Sequence, residues 1–204
     1  MIVTTSGGSP SRTAVNYTTA SGVKIYGRLG PEGIPLQIGT PLAAANTGLT
    51  GAPVAGVQCN TQEQLAYHHH AHLAIIVNGR LRPVPPGVGM VPPIQVQQTA
   101  NGEFATGSNT CLYWLHVHAQ DGIIHIESPN SQTFRLSQFF AVWHVPLSAT
   151  QIGAYKGTVT ATINGNRWRG DPGQIPLAEK AQIVLNLGRP IVAPPAIDWN
   201  GSNL

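Results

Sequence analysis

The sequence predicts a mainly β protein, an antiparallel β-sandwich or barrel with one short helix near residues 136–144. Asn-Gly or Asp-Gly pairs accompany apolar, β-branched runs at three places, and these pairs are the strongest short-range signal for a hairpin. A single stretch carries its apolar residues at helical spacing. Charged residues make up 9% of the chain, against about 25% in an average domain, which favours a neutral-surfaced, loop-rich β protein.

The length of 204 residues suits one domain with extended ends. Residues 1–55 are rich in Gly, Pro and Thr and contain one short strand candidate at 23–26. Such a stretch cannot build its own core, so we expect this arm to drape over the domain or to be disordered. Residues 56–190 are predicted to form a His-rich β domain, and residues 191–204 a C-terminal tail.

Three hairpins and one further strand are predicted in chain order. Each hairpin has a strand-forming run beside a pair that readily adopts positive φ. The hairpins are 73–77 with Asn78-Gly79, 111–118 and 123–127 joined by Asp121-Gly122, and 158–163 with Asn164-Gly165, and the further strand is 182–187.

The one predicted helix lies near residues 136–144. We expect Ser137 to cap its first turn, because a serine oxygen can accept a free backbone N–H there. We expect Pro146 to end it, because proline has no N–H to donate. Its apolar residues at helical spacing are Leu136, Phe139, Phe140 and Trp143.

Histidine clustering is the most informative feature for function, since all eight histidines lie within residues 68–144. Imidazole is a common protein ligand for zinc, copper and nickel. Side chains of a strand alternate between its two faces, and the odd-numbered face of 67–77 is the more apolar one. We therefore expect His69 to face the core, and His70 and His72 to project together from the other face.

The predicted hairpin around residues 121–122 adds a second histidine-bearing face. His116, His118, His125 and Glu127 share one face in any register, because cross-strand partners always do. A two-residue turn would put His118 opposite His125, whereas a four-residue loop would put His116 opposite His125. Directly opposed Cβ atoms lie about 4.5–5.5 Å apart, so two imidazoles can share one metal ion.

A transition-metal site follows from these faces, provided that the strands are neighbours. Glu127 is expected nearby as a ligand, a second-shell acceptor or a catalytic base. His68 is a supplementary ligand or is solvated, and His144 is a weaker candidate. The alternative is a hydrogen-bonded ladder of neutral histidines. The predicted ligands are His70, His72, His116, His118, His125 and Glu127.

The two cysteines, Cys59 and Cys111, suit a single disulfide formed in an oxidising compartment; two buried thiols are the alternative. Strand parity points Cys111 away from His116, and Met90 is distant in sequence. A blue-copper site, which needs a cysteine among its histidines and a nearby methionine, is therefore disfavoured.

Two long motifs carry a resemblance. They are 67–79 (YHHHAHLAIIVNG) and 113–129 (YWLHVHAQDGIIHIESP). The chain resembles, over about residues 55–190, an uncharacterised group of bacterial, exported, His-rich β proteins that has no assigned activity. The resemblance implies one domain and a histidine site. The pattern is also similar to that of cupins, but no Glu follows either His-x-His at short distance and the later Pro-x-Gly…His motif is missing.

The leading functional hypothesis is an extracytoplasmic transition-metal-binding protein that uses copper or zinc, because an all-histidine site with one optional carboxylate suits these ions. One alternative is a metal-dependent, cupin-like oxidoreductase or hydrolase with Glu127 as candidate base. The other is a structural module, with or without a structural metal, that assembles or forms homo-oligomers through its N-terminal arm.

The expected partner is the metal ion. Nucleic acid is not expected as a partner, because the formal charge of +3 is spread without a basic run. No apolar run approaches the roughly 20 residues of a membrane span. We expect a periplasmic or secreted location, with the signal peptide already removed. Metal affinity is expected to fall as the pH drops through about 6.5, where free imidazole gains its proton.

Overall fold

The computed structural model describes residues 17–19, 22–45, 47–202 and 204 and shows a mainly β sandwich with one α-helix. The elements, in chain order, are β1 Tyr26–Leu29, β2 Pro35–Gln37, β3 Cys59–Asn60, β4 Tyr67–Val77, β5 Arg80–Leu81, β6 Ile94–Thr99, β7 Gly102–Ser108, β8 Leu112–Tyr113, β9 Leu115–His116, β10 Ile123–Ser128, α1 Leu136–Trp143, β11 Leu147–Ser148, β12 Gln151–Ile152, β13 Tyr155–Lys156, β14 Val159–Ile163, β15 Asn166–Arg167 and β16 Gln182–Leu187.

The largest sheet has the strand order β15-β14-β16-β4-β10-β9, with β5 paired to the end of β4. Its pairs are antiparallel except β16 with β4, which is parallel. A parallel pair needs a long crossover, and most of the domain lies between these two strands in sequence. The predicted fold class is confirmed, and the parallel pair in the middle of the sheet is a feature that local hairpin signals do not predict.

The two faces of β4 enter different parts of the core, as the alternation predicts. Its odd-numbered residues, such as Leu73 and Ile75, pack in the main core with α1. Its even-numbered residues Ala74 and Ile76 pack in a second core beneath the N-terminal arm. The histidines at the even positions therefore lie on the face that the arm covers.

The helix spans Leu136–Trp143, but its cap differs from the prediction. The N-cap is Arg135, whose backbone N–H donates to Gln138 Oε1 at 2.9 Å. Ser137 lies inside the first turn, so its predicted capping role was wrong; a glutamine three residues after the cap satisfies the free donor instead. The chain leaves the helix through His144, which adopts the left-handed conformation with φ 60°, two residues before Pro146.

Both Asn-Gly hairpins are confirmed. Val77 pairs with Arg80 across Asn78-Gly79, and Ile163 pairs with Asn166 across Asn164-Gly165. In each pair both residues have positive φ, 50° and 76° in the first and 49° and 78° in the second. These values fit the two-residue turn that matches the twist of the flanking strands.

The predicted 111–118 strand is interrupted. β8 pairs with β3, whereas β9 pairs with β10 in the register His125↔His116. This register is the alternative with the longer loop. Asp121 shapes that loop by accepting the N–H of Ile123 through Oδ1 at 3.1 Å, a side-chain turn typical of aspartate.

The N-terminal arm packs on the domain where the structure describes it. Ile25, Tyr26 and Ile34 are buried in the second core, and the first strand begins at Tyr26, three residues later than the 23–26 candidate. Residues 1–16 lie outside the described residues. At the other end of the chain, Asn186 Nδ2 donates to the carbonyl oxygen of Val192, and Asn186 Oδ1 accepts the N–H of Val192. This pair of hydrogen bonds fixes the C-terminal tail against β16.

The predicted disulfide between Cys59 and Cys111 is confirmed. It ties β3 to the segment that precedes β8, and its Cα atoms are 5.6 Å apart. Within the described residues, no helix is long and apolar enough to cross a membrane.

Candidate metal centre

Three histidines, His116, His118 and His125, converge on one face of the large sheet. The β9–β10 register sets His116 opposite His125, and the β10–β4 register sets His125 opposite His70. His118 follows two residues after His116, and its ring meets that of His125 edge-on at 4.5 Å between centroids. The apolar neighbours on the opposite face, such as Ile124, anchor these strands in the main core.

Hydrogen bonds fix the tautomers of His116 and His118. His116 Nδ1 lies 2.8 Å from the carbonyl oxygen of Tyr113, and His118 Nδ1 lies 2.5 Å from that of Ala105. Because a carbonyl only accepts, both Nδ1 atoms carry the hydrogen and donate it. Both Nε2 atoms therefore present lone pairs, although they are only 3.0 Å apart. Two such lone pairs repel each other, and a cation placed between them removes the repulsion.

The third imidazole, that of His125, is oriented by an acid from the N-terminal arm. Its Nε2 lies 2.7 Å from Glu32 Oε1. Its Nδ1 is buried and has no hydrogen-bond partner among the described residues, and it lies 3.6 Å from Glu127 Oε1. All three histidines thus hold one nitrogen on an acceptor oxygen and leave the other without such an oxygen in hydrogen-bond range among the described residues, which is the usual arrangement of metal-binding histidines.

Three of the donor atoms lie close enough to share one ion. The nitrogens of His116, His118 and His125 lie within 4.8 Å of one another. Glu127 Oε1 lies 3.6 Å from both His116 Nε2 and His125 Nδ1. Tetrahedral bonds of 2.0–2.1 Å place ligand atoms about 3.4 Å apart, so the three imidazoles can hold a metal ion, and Glu127 is the nearby carboxylate that would complete the set after a movement of its side chain.

Burial keeps most of this cluster neutral. Burial, and then the charge of neighbouring histidines, lower the pKa of His118 to about 4 and that of His70 to about 2, and they lower the pKa of His116 well below 6.5. His125 is the exception. Burial alone would lower its pKa, but the adjacent carboxylates of Glu127 and Glu32 outweigh burial and raise it to about 9.

The sequence analysis missed two buried acids at the site. Glu32 has a lowered pKa because, against the effect of burial, its hydrogen bond to His125 favours the carboxylate. Asp121, which is fully buried, has a raised pKa through burial and through the charge of Glu32. Glu32 is therefore the ionised acid that pairs with His125, whereas the protonated form of Asp121 is favoured. No local pattern links these residues, since Glu32 and His125 are 93 residues apart.

The predicted ligand His72 lies on the expected face but outside the cluster. It is fully buried, and Gln37 Nε2 donates to its Nε2 at 3.3 Å. Tyr26 contacts the ring edge-on. The lone pair on Nε2 is thus already engaged, and among the described residues the groups that could hold an ion do not include His72. Its role as a ligand stays a prediction.

The remaining histidines, His68, His69, His70 and His144, have different surroundings. His70 and His68 belong to a group with His125 whose donor atoms also lie within 4.8 Å of one another. His69 lies on the opposite face and bonds to the carbonyl oxygen of Leu177 at 3.0 Å, in keeping with a packing role. His144 is exposed at the end of the helix.

A cleft of about 250 Å³ opens onto His68, His70, His118 and His125. Phe104, on β7, stacks on the ring of His118 with centroids 4.8 Å apart. Glu63 also lines the cleft, and its Oε1 lies 3.7 Å from His118 Nε2. Burial, followed by the charge of Glu127, raises the pKa of Glu63. The cluster is therefore reachable by an ion or a small molecule.

Comparisons with protein-family models, with curated proteins and with solved structures found no match for this chain. The case for the site therefore rests on its own geometry.

The raised pKa of His125 predicts proton release on metal binding. An ion that takes Nδ1 must displace the proton that His125 holds below about pH 9, whereas His118 stays neutral down to about pH 4. Affinity should therefore rise about tenfold per pH unit between about 6 and 9. This places the fall in affinity at a higher pH than free imidazole predicts.

Calorimetric titrations at pH 7.5 in buffers of different ionisation enthalpy measure this release. We expect about one proton per ion, and fewer for Glu32→Gln, because that change removes one of the two acids that raise the pKa of His125. No proton release, together with a pH-independent affinity, would contradict the assignment of His125 as a ligand.

Proposed function

We propose that this protein binds a transition metal ion, copper or zinc, outside the cytoplasm through His116, His118 and His125, with Glu127 as the fourth ligand. One observation carries the proposal: His116 and His118 each hold Nδ1 on a backbone carbonyl oxygen, so that their Nε2 lone pairs face each other at 3.0 Å beside the ring of His125. Outside a metal site, buried nitrogen lone pairs that face one another only cost free energy, about 1–3 kcal/mol for each unsatisfied group.

The choice of metal follows from the donors. Imidazole nitrogens with one carboxylate oxygen suit copper(II) and zinc, and the general affinity order favours copper when both are present. The disulfide supports an oxidising, extracytoplasmic location.

The cleft that opens onto His118 and His125 favours metal carriage or catalysis, because an ion or a small molecule can reach the site through it. A metal-dependent oxidoreductase or hydrolase is the second candidate function. It is favoured by Glu63, a cleft-lining acid with a raised pKa, which could exchange protons with a substrate beside the ion. Assembly through the N-terminal arm remains a third hypothesis.

Metal content of the purified protein tests the proposal. We expect elemental analysis to find copper or zinc, chelation to remove it, and either ion to restore it with a dissociation constant below about 1 μM at pH 7.5. Occupancy should raise the melting temperature, because an ion that binds only the folded state stabilises it. A chelated protein that takes up neither ion tightly would overturn the proposal.

A further inference from the structure

We propose that the site holds a second metal ion, bound by His68 and His70 on the cleft side and joined to the first through Glu127. This inference rests on the proposed function, because it places the second ion beside the first.

The number of donors is the first argument. The imidazoles of His116, His118 and His125 offer donor atoms within 4.8 Å of one another, and Glu127 Oε1 lies 3.6 Å from two of these residues, so the proposed first ion has four ligands without any other side chain. Two further imidazoles are left on the same face. A single copper or zinc ion with four ligands has no use for them, so they need a separate explanation.

His70 is the second argument. Its side chain is only 6% exposed, and its Nε2 is buried without a hydrogen-bond partner among the described residues. Its ring meets those of His125 and His68 edge-on, at 4.6 Å between centroids in both cases. A buried imidazole nitrogen that has no hydrogen-bond partner is available as a metal ligand.

Glu127 gives the third argument, because its Oε1 stands between the two donor sets. It lies 3.3 Å from His68 Nε2 and 3.6 Å from His116 Nε2, both close to the ligand spacing of about 3.4 Å around a tetrahedral ion. The N–H of Gln64 donates to Oε2 at 3.2 Å and so holds the carboxylate in place. An oxygen at a corner of both sets would bridge ions about 3.5–4 Å apart, the usual separation in two-metal sites.

The charge around the cluster predicts the order of binding. Glu32 and Glu127 are the buried acids that contact His125, and Glu63 is the half-exposed acid near His118. Two dications this close repel each other, and Glu127 alone is shared between them. The ion at His68 and His70 therefore binds second and more weakly, and because these residues line the cleft it is also the more accessible ion.

Copper(II) titration followed by native mass spectrometry and calorimetry provides the test. We expect the parent to bind two ions in two steps. His68→Ala/His70→Ala should bind one ion, with the first affinity changed by less than ~3-fold, and His68→Ala alone should weaken the second step at least ~10-fold. His68 is exposed, so the single variant should fold even if the double variant does not. His144→Ala, which removes an exposed histidine away from the site, is the matched control and should bind two.

Electron paramagnetic resonance supplies a second readout. Two bridged copper(II) ions couple, so the fully loaded parent should show less spin intensity than its copper content, while His68→Ala/His70→Ala with one ion should show its full intensity. A parent that saturates at one ion overturns the second site and leaves the proposed function standing. A parent that binds none overturns both, and retention of two tight ions by the His68 and His70 variants overturns the assignment of these ligands.

Discussion

Replacing His116 and His118 together with alanine is expected to weaken binding of the first ion at least ~100-fold. The change removes two of the four donors, and losing a second-shell partner alone costs 10–100-fold in metal affinity. What remains is the group of His68, His70 and His125, which lacks the pair of opposed lone pairs that makes the parent site tight. Competition titrations with a chelator of known affinity measure the difference.

His69→Ala is the matched control for this variant. It removes an imidazole from β4 of the same sheet, but from the face that packs against Tyr67 and bonds to Leu177. We expect it to lower the melting temperature and to leave metal affinity within ~3-fold of the parent. If the His116/His118 double variant bound an equivalent of copper or zinc as tightly as the parent, these two residues would not be ligands.

Strand alternation predicts the faces of the site well. For β4 and β10 it separates His70, His125 and Glu127 from the apolar side chains of the main core, because a two-residue period leaves no other choice once one face is buried. Other local signals, the helical spacing of apolar residues and the Asn-Gly pairs, predict the helix and both Asn-Gly hairpins.

The sequence could not choose between the two registers of β9 and β10. Both satisfy the alternation, and the choice depends on the loop that Asp121 shapes. It also could not separate His72 from His70. The two share a face, and only the arm decides that Gln37 and Tyr26 cover His72 while the cleft opens above His70.

The N-terminal arm is the part of the site that local patterns miss. Its low content of regular structure predicts draping or disorder, yet it supplies Glu32 to His125 across 93 positions of sequence. Long-range contacts of this kind leave no periodic trace. Glu32 orients the imidazole and helps to raise its pKa, so a peripheral segment contributes directly to the chemistry of the proposed metal centre.

The second large effect is expected from the disulfide. Cys59→Ala/Cys111→Ala should lower the free energy of unfolding by about 4 kcal/mol, because the bond closes a loop across a sequence separation of 52 residues, and a chain-entropy argument gives that magnitude. Denaturant titration of the parent and the variant measures the loss. The parent treated with a reductant is the control and should lose a similar amount. A loss below about 1 kcal/mol would show that the closed loop contributes little to stability.

The disulfide should affect metal binding much less than it affects folding. The loop that it closes contains β4, with His70, and also Ala105, whose carbonyl oxygen orients His118. Those segments are held independently by the β4–β10 pairing and by the N–H of Ala105, which donates to the carbonyl oxygen of His118 at 2.8 Å. In the folded variant we therefore expect affinity to fall less than ~10-fold, well short of the loss from replacing His116 and His118. A larger loss would mean that the cross-link, rather than the sheet, positions the ligands.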